Sequence, residues 1–308
     1  MSDYVISTHG LTKYYGARQV VSGLDLNIER GSVFGFLGRN GAGKTTTIRM
    51  LLGLVAPTRG SSEVLGHDSQ KLTPEARAKI GYLAEGHNVY DWMNVQECHD
   101  FQAAFYSHWN ESIFWGVVDH FRLKTKAKAG DLSRGERAGL CLALTLAPEP
   151  DLLILDDPAL GLDPVARRSL LQSMIYVTRA ADKTILFSSH LLSDVERVAD
   201  SIGIMESGVL RAHCSVDTFR DQVRQITLYF AGKAPTAANL PGLIDSLRTD
   251  NQLELTFANY TNESAKAIDE LAPDRIEYNP TNLEDAFISY IGERQERTLF
   301  LSNVESPR

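Results

Sequence analysis

The chain has 308 residues, of which 43% are hydrophobic and 23% charged, and its formal net charge is −8. This length predicts more than one domain, because single hydrophobic cores seldom extend beyond about 250–300 residues. The acidic balance argues against general nucleic-acid binding, which requires a basic face.

The sequence predicts no membrane-spanning segment, since it contains no apolar run of about 18 residues or more. It begins without a basic region followed by an apolar stretch, so no signal peptide is expected. Its cysteines, Cys98, Cys141 and Cys214, lie far apart without metal-binding spacing. They are expected to be reduced thiols of a cytosolic protein, with neither a disulfide nor a zinc site. Such a protein would reach a membrane only by docking on an embedded partner.

The first predicted elements are two strands, because residues 4–8 and 20–29 alternate apolar and polar side chains. Tyr15 lies between them, shortly before the next strand. A flat aromatic ring at that point could stack on a nucleotide base. Strand tyrosines are more often packing residues, so both interpretations of Tyr15 stay open.

A glycine-rich loop follows the buried strand predicted at Val33–Leu37 and precedes a helix in which Ile48, Leu51 and Leu52 recur at helical spacing. Its spacing is G-x-x-x-x-G-K-T/S, typical of a phosphate-binding loop. Consecutive backbone N–H groups and the helix N-terminus would face anionic oxygens, and glycines allow their close approach. A lysine adds positive charge and a threonine hydroxyl can bind Mg²⁺. The candidate residues are Gly38, Arg39, Asn40, Gly41, Ala42, Gly43, Lys44, Thr45 and Thr46.

Residues 73–85 predict a short helix and another strand. Thr73 is a suitable N-cap for a helix that begins at Pro74. The apolar run Ile80–Ala84 is typical of a strand and ends at Glu85.

Residues 86–130 are rich in aromatic side chains at helical spacing. Most of these rings are expected to form a small helical core. Exposed side chains among Tyr90, Trp92 and Met93 could instead anchor a helix of a partner protein. The other aromatic residues of this region, each of which could serve the core or the partner surface, are Phe101, Phe105, Tyr106, Trp109, Phe114 and Trp115.

Ser133 and Glu136 form an S-x-x-E capping box that predicts the start of a helix. Gly135 lies in the first turn of that helix, where glycine costs about 1 kcal/mol relative to alanine. We therefore expect another group to approach the backbone closely at Gly135.

Two acidic residues, Asp156 and Asp157, follow the buried strand predicted at 152–155. Open α/β sheets bind ligands at this end of their strands. Asp156 is placed to hold Mg²⁺, and Asp157 to orient or deprotonate water. Asp163 follows in the turn before a helix through Leu170 and Met174, and His190 follows the strand predicted at 184–187. A hairpin over residues 202–210 closes this part of the chain.

A second, smaller unit is predicted from about residue 221. Residues 226–230, 253–257 and 275–278 alternate like strands, and 240–247 and 263–271 are predicted to be short helices. A capping box from Thr281 to Glu284 predicts a further amphipathic helix. Residues 295–308 are polar and are expected to form a loose tail.

Taken in order, the motifs from about residue 4 to 215 resemble the nucleotide-binding domain of ABC transporters. Gly38 to Thr45 match the family's Walker A loop, and Leu132 to Glu136 resemble its LSGGQ signature. Residues 152–156 match Walker B, with Asp163 in the D-loop position, His190 as the switch histidine and Tyr15 as the adenine-stacking aromatic. The C-terminal unit is similar to the accessory domain of many exporter ATPase subunits, a softer match that rests on its layout and on residues 282–287.

The resemblance implies an α/β P-loop NTPase fold of the ABC type. This fold has a mixed sheet core, an antiparallel β subdomain and a helical subdomain, followed here by a small C-terminal α+β domain. The implied boundaries are 1–220, with the helical subdomain at about 86–150, then 221–294 and the tail 295–308. The implied activity is MgATP hydrolysis in a head-to-tail dimer that drives export by separate integral membrane permease subunits. Ser133 and Gly135 would face the γ-phosphate held by the other subunit, which can be a like or an unlike one. The protein would lie at the cytoplasmic face of the cell membrane, without nucleic acid as a partner.

Three residues depart from the family pattern. Asp157 stands where glutamate is usual, so its carboxylate reaches the attacking water less well, and slow hydrolysis with normal ATP binding is expected. Glu85 replaces the usual glutamine and can still contact Mg²⁺ or water. Arg134 and Glu136 alter the signature but leave Ser133 and Gly135 in place.

Two other functions remain open. The chain could bind ATP and gate a transporter while a partner subunit hydrolyses. It could also be a soluble ABC ATPase acting on ribosomes or DNA, although those families carry two fused cassettes or long coiled coils.

Overall fold

A computed structural model of the chain describes residues 4–181, 183–236, 240–258 and 260–279. The predicted capping box at Thr281–Glu284, the stretch 282–287 and the tail 295–308 lie outside these residues. The strands of the described part are β1 (Tyr4–Tyr15), β2 (Arg18–Glu29), β3 (Val33–Leu37), β4 (Arg59–Val64), β5 (His67–Asp68), β6 (Ile80–Leu83), β7 (Leu152–Leu155), β8 (Thr184–Ser189), β9 (Ser201–Glu206), β10 (Val209–Ser215), β11 (Val223–Tyr229), β12 (Leu243–Thr249), β13 (Gln252–Ala258) and β14 (Arg275–Asn279). The α-helices are α1 (Lys44–Leu51), α2 (Pro74–Ala78), α3 (Val95–Ala103), α4 (Glu111–His120), α5 (Arg134–Leu146), α6 (Pro164–Ala181), α7 (Leu192–Val198), α8 (Val216–Gln222) and α9 (Asn262–Asp269).

The chain divides into two compact units, residues 1–216 and 217–308. The first unit contains a six-stranded sheet in the order β10-β9-β3-β8-β7-β6. Its strands are parallel except for the β9–β10 hairpin. The central strands β3, β7 and β8 are buried along their whole length, which explains why they appear in the sequence as continuous apolar runs. No helix among the described residues is both long and apolar enough to cross a lipid bilayer.

An antiparallel sheet in the order β2-β1-β4-β5 lies in the same unit. Leu24, Leu26 and Ile28, which alternate with polar residues along β2, are buried. They join one apolar core with Phe34 of β3 and Ile48 of α1. The phosphate-loop helix is therefore packed between the two sheets of this unit.

Helices α3, α4 and α5 surround a separate apolar core, as the aromatic region predicted. Phe114 is fully buried in it, and Trp109 and Trp115 pack against it. Both tryptophans also lie against the ring of His99, a buried histidine whose Nε2 is 2.9 Å from Oε2 of Glu111 at the start of α4. These rings are structural residues of the helical subdomain.

Four other aromatic side chains of this region are exposed and touch one another in a row. Tyr90 contacts Trp92 and Phe101, with ring centroids 5.8 and 5.6 Å apart, and Phe101 contacts Phe105 at 5.2 Å. We call Tyr90, Trp92, Phe101 and Phe105 the aromatic patch. Met93, grouped with Tyr90 and Trp92 as a candidate exposed anchor, is instead buried in the helical core, so that part of the prediction was wrong.

The second unit contains a four-stranded antiparallel sheet, β12-β13-β11-β14, with α9 packed on it through Ile268. The helix predicted at 240–247 was wrong, because this segment forms β12. Thr249 pairs with Gln252 across a two-residue turn, Asp250–Asn251. This turn lets β12 pair with β13 in an antiparallel hairpin. The hydrogen bonds between the two strands stabilise the segment more than the helix that its apolar spacing would otherwise favour.

Candidate functional site

The carboxyl ends of four parallel strands meet at one edge of the six-stranded sheet. Leu37 at the end of β3 pairs with Ser189, and Leu155 at the end of β7 pairs with Leu83 and Phe187. The segments that follow these strands therefore emerge side by side. They carry the glycine-rich loop, Glu85, the Asp156–Asp157 pair and His190. This is the edge at which open α/β sheets bind ligands.

The glycine-rich loop turns into α1 at Gly43, which has a φ of +108°. A Cβ at this position would lie 2.6 Å from the carbonyl oxygen of Val20, so both the backbone angle and the space require glycine. No side chain in the described part of the chain caps the N-terminus of α1. The first N–H groups of this helix are thus available to an anion.

Lys44 extends from the start of α1 back over the loop. Its Nζ donates hydrogen bonds to the carbonyl oxygens of Gly38, at 2.7 Å, and Arg39, at 3.2 Å. Burial lowers the pKa of Lys44, while the nearby carboxylates of Asp157, Asp156 and Glu85 act in the opposite direction. The ammonium group is therefore held in a confined, acidic pocket where an added anion would stabilise its charge.

Asp156, Thr45 and Ser188 form a connected polar group beneath the loop. The Oδ1 of Asp156 accepts hydrogen bonds from Thr45 Oγ1, at 3.1 Å, and from Ser188 Oγ, at 2.8 Å. Its Oδ2 is buried and has no hydrogen-bond partner among the described residues. A buried carboxylate oxygen without a partner is costly, and with a threonine hydroxyl beside it the donor set fits Mg²⁺.

Asp157 takes a left-handed backbone conformation, with a φ of +43°. Its amide N–H donates to Ser188 Oγ at 2.8 Å, and its Oδ2 lies 2.9 Å from Nδ1 of His190. Aspartate tolerates this region of backbone space better than most residues. Asp157 is thereby held at two points, its backbone by Ser188 and its carboxylate by His190.

Most of the predicted site residues line a single cavity of about 400 Å³. The sequence did not indicate three further lining residues: Arg18, Val20 and Ser188. Arg18 pairs with Tyr15 in the β1–β2 ladder, so its position follows from a hairpin that the sequence only partly predicted. The predicted residues in the lining are Tyr15, Asn40, Gly41, Gly43, Lys44, Thr45, Thr46, Glu85, Asp156 and Asp157.

Tyr15 lies at the rim of this cavity with 47% of its surface exposed. The ammonium of Lys13 is 5.1 Å from the centroid of its ring. The ring is thus not a core residue, which favours the stacking interpretation over packing.

The predicted site residues that do not line this cavity are Gly38, Arg39, Ala42, Ser133, Gly135, Asp163 and His190. The capping box predicted at the start of α5 is confirmed: Ser133 Oγ accepts from the N–H of Glu136, and Glu136 Oε2 accepts from the N–H of Ser133. Asp163 Oδ1 accepts the N–H groups of Val165 and Ala166 in the first turn of α6.

The group that closely approaches the backbone of Gly135 belongs to this chain. A Cβ on Gly135 would lie 2.7 Å from the Cβ of Ala166 in α6. Packing of α5 against α6 is therefore sufficient to explain the glycine, whether or not a nucleotide also approaches it.

A second cavity, of about 220 Å³, lies beside the aromatic patch. We call it the aromatic groove. Tyr90 and Phe101 of the patch line it together with Tyr82, Tyr106 and His87. It connects the end of β6 with the surface of the helical subdomain.

Comparison with known proteins agrees with this geometry. Residues 21–160 match the family described as ABC transporter. The chain is 36% identical over 223 residues to the "Bacitracin transport ATP-binding protein BcrA" of Bacillus licheniformis, covering 72% of this chain and 73% of that protein. It is 32% identical over 309 residues to the "Nod factor export ATP-binding protein I" of Rhizobium johnstonii, covering 96% and 98% of the two chains. A solved ATP-binding subunit of an ABC transporter shares 28% identity and a TM-score of 0.64, over 71% of this chain and 92% of that one. The fold and family predicted from the sequence are confirmed: this chain belongs to the ATP-binding ATPase subunits of the ABC transporter family.

Proposed function

We propose that this protein hydrolyses MgATP to drive export through separate membrane permease subunits. Members of the family act with membrane permeases and dimerise, and two of the relatives are named for bacitracin transport and Nod factor export. The observation that carries the proposal is the convergence of the glycine-rich loop, Asp156, Asp157, Glu85 and His190 at one sheet edge. The proposed domain boundaries are 1–220, 221–294 and 295–308, with the helical subdomain at about 86–150.

The triphosphate is held by the glycine-rich loop. Backbone N–H groups of the loop and of the first turn of α1, together with the Lys44 ammonium, surround the phosphate oxygens, while Tyr15 stacks on the adenine. The buried setting of Lys44 makes its charge more effective, because little water competes for it. Arg18, at the same rim, is well placed to add a further positive charge.

Thr45 and Asp156 would hold Mg²⁺, with Glu85 nearby in the same cavity. When bound there, the ion neutralises charge on the outer phosphates. The unpartnered Oδ2 of Asp156 supports this assignment.

Asp157 orients the attacking water and accepts its proton. His190 holds the Asp157 carboxylate through the Nδ1 contact. Glu85 is the third group placed to contact the water.

A second nucleotide-binding subunit, like or unlike this one, completes each site. Ser133, Gly135 and Asp163 lie outside the lining of the described cavity, so a contribution from these residues would come from the other subunit. The N-terminus of α5 would then face the triphosphate held by the other subunit, in a head-to-tail dimer.

The aromatic patch and groove are the proposed docking surface for the permease. Trp92 and Phe105 are 66% and 71% exposed, and large exposed aromatic side chains are typical of interfaces. Docking there would place the protein at the cytoplasmic face of the membrane as a peripheral subunit.

A second candidate function is ATP-dependent gating with weak hydrolysis. The observation that favours it is Asp157, whose side chain is one methylene shorter than the usual glutamate and is already bound to His190. Unhydrolysed ATP retained by the purified protein would favour gating over turnover.

The test of ATP binding is a Lys44→Ala variant titrated with a fluorescent ATP analogue, with Lys71→Ala as the matched control. Lys71 is an exposed lysine of the same unit, with 82% of its side chain accessible. We expect Lys44→Ala to weaken binding at least about tenfold and Lys71→Ala to leave it unchanged. Undiminished affinity in Lys44→Ala would contradict the proposal.

A further inference from the structure

His87 is a buried histidine in an unusual backbone conformation at the aromatic groove. It follows β6 by a few residues and has a φ of +52°, in the left-handed region that few non-glycine residues occupy. Its residue exposure is only 5%. Such an outlier persists only where its surroundings hold it in place, so its contacts bear on function.

The side chain of His87 forms one strong hydrogen bond. Its Nε2 lies 2.8 Å from the carbonyl oxygen of Pro158. A carbonyl oxygen only accepts, so Nε2 carries a proton and donates it to this bond. His87 is therefore the donor that holds the Pro158 carbonyl.

The acceptor links His87 to the hydrolysis site. Pro158 directly follows Asp157, and the Asp157 carbonyl in turn accepts the N–H of Leu160. The His87 bond thus holds the main chain one residue after Asp157, while the Ser188 contact holds the amide N–H of Asp157 itself. The same imidazole lines the aromatic groove with Tyr90 and Phe101.

We propose that His87 is a positioning residue for hydrolysis: its Nε2–H fixes the Pro158 carbonyl and, through it, the orientation of Asp157. The inference rests on the proposed role of Asp157. Small misplacements of a catalytic group reduce the rate of the chemical step without reducing substrate affinity. Loss of the bond should therefore lower kcat and leave ATP binding unchanged.

Three variants separate the hydrogen bond from the backbone conformation. His87→Leu fills the pocket without a donor. His87→Gln restores a donor, because its amide nitrogen reaches about as far from the backbone as Nε2 of histidine. His87→Asn suits the left-handed conformation best, but its donor is too short to reach Pro158.

Hydrolysis is measured under single-turnover conditions with protein in excess, so that a slow rate remains measurable. We expect His87→Leu and His87→Asn to lose about tenfold or more in rate and His87→Gln to stay within about threefold of the native protein. The affinity for a fluorescent ATP analogue should change by less than about twofold in all three. Native rates in His87→Leu, or equal losses in His87→Gln and His87→Leu, would overturn the proposal. Rescue by His87→Asn would show that backbone strain, not the bond, matters.

A second measurement needs no variant. The ¹⁵N and ¹H shifts of His87 in the native protein should show a proton on Nε2, and a ring that carries its proton on Nδ1 alone would overturn the proposal. Asp157→Asn is assayed alongside. If native protein and Asp157→Asn hydrolyse ATP equally, the proposed role of Asp157 fails and the inference with it. If only Asp157→Asn is impaired and His87→Leu is native-like, the inference alone fails.

Discussion

The Nδ1 atom of His190 lies 2.9 Å from Oδ2 of Asp157, so the two side chains that follow β8 and β7 are joined directly. Asp157 also has a φ of +43°, a conformation that aspartate accommodates more readily than glutamate. The aspartate at this position therefore matches its backbone, at the cost of a shorter reach toward the attacking water.

An Asp157→Glu variant should hydrolyse ATP faster and be less stable. The longer side chain extends further into the cavity, whereas a glutamate at positive φ costs about 1–2 kcal/mol, which lowers Tm by about 2–8 °C. Turnover at saturating ATP and thermal unfolding test both parts, with Asp157→Asn as the isosteric control that removes the charge. A turnover rate that Asp157→Glu fails to raise would contradict the idea that reach limits hydrolysis.

The buried ammonium of Lys44 should make stability and ATP affinity change in opposite directions at high pH. Burial lowers the pKa of Lys44 below its ordinary value of 10.5. Between the lowered pKa and 10.5 the unfolded chain binds more protons than the folded one, so stability rises with pH across that window. ATP affinity falls over the same window, since the neutral amine no longer attracts phosphate.

These trends are measured as Tm without nucleotide and as Kd for a fluorescent ATP analogue, from about pH 8 upward. Other groups also titrate there, so the informative quantity is the difference from Lys44→Met, which lacks the charge at similar length. A difference in Tm that stays constant with pH would show that Lys44 keeps its ordinary pKa.

The contact between Gly135 and Ala166 allows a packing role to be separated from a nucleotide role. Gly135→Ala should lower Tm because the new methyl group meets Ala166 at 2.7 Å, and the second change Ala166→Gly should restore it. If hydrolysis recovers together with Tm in the double variant, the glycine serves packing alone. If hydrolysis remains lost, a group of the nucleotide also needs the space at Gly135, as the head-to-tail dimer requires.

Loss of the aromatic patch should release the protein from its membrane partner. We expect the double variant Trp92→Ser and Phe105→Ser to lose co-purification with integral membrane protein while its ATP affinity stays native. Leu54→Ser is the matched control, because Leu54 is an apolar residue of similar exposure, 59%, outside the patch. Equal recovery of membrane protein with both variants would place the docking surface elsewhere.

The sequence predicted the local features well because each has a local cause. The N-caps at Thr73 and Ser133 are confirmed, since capping depends on residues within a few positions of each other. The buried strands were evident from their apolar runs. Helix α7 was missed: it begins at Leu192 without a side-chain cap, directly after the polar residues that end β8.

Features that depend on distant parts of the chain were not predictable in the same way. The segment now in β12 has helical spacing, and only its pairing with β13 makes it a strand. The approach of Ala166 to Gly135, the position of Ser188 beneath the loop and the bond from His87 to Pro158 all join residues far apart in sequence. No local sequence pattern predicts these contacts. Ser188 is a partial exception, because the parallel pairing of β7 with β8 places it beside Asp156.

The three tryptophans of the chain all belong to one region. Trp109 and Trp115 pack around His99 inside the helical subdomain, and Trp92 lies in the exposed patch. Intrinsic fluorescence excited at the indole band therefore reports on this region alone, with no contribution from the sheets or the C-terminal unit. The protein thus contains its own optical probe: a quencher in solution should reach Trp92 first, and shielding of that fraction would follow the docking of a partner without any added label.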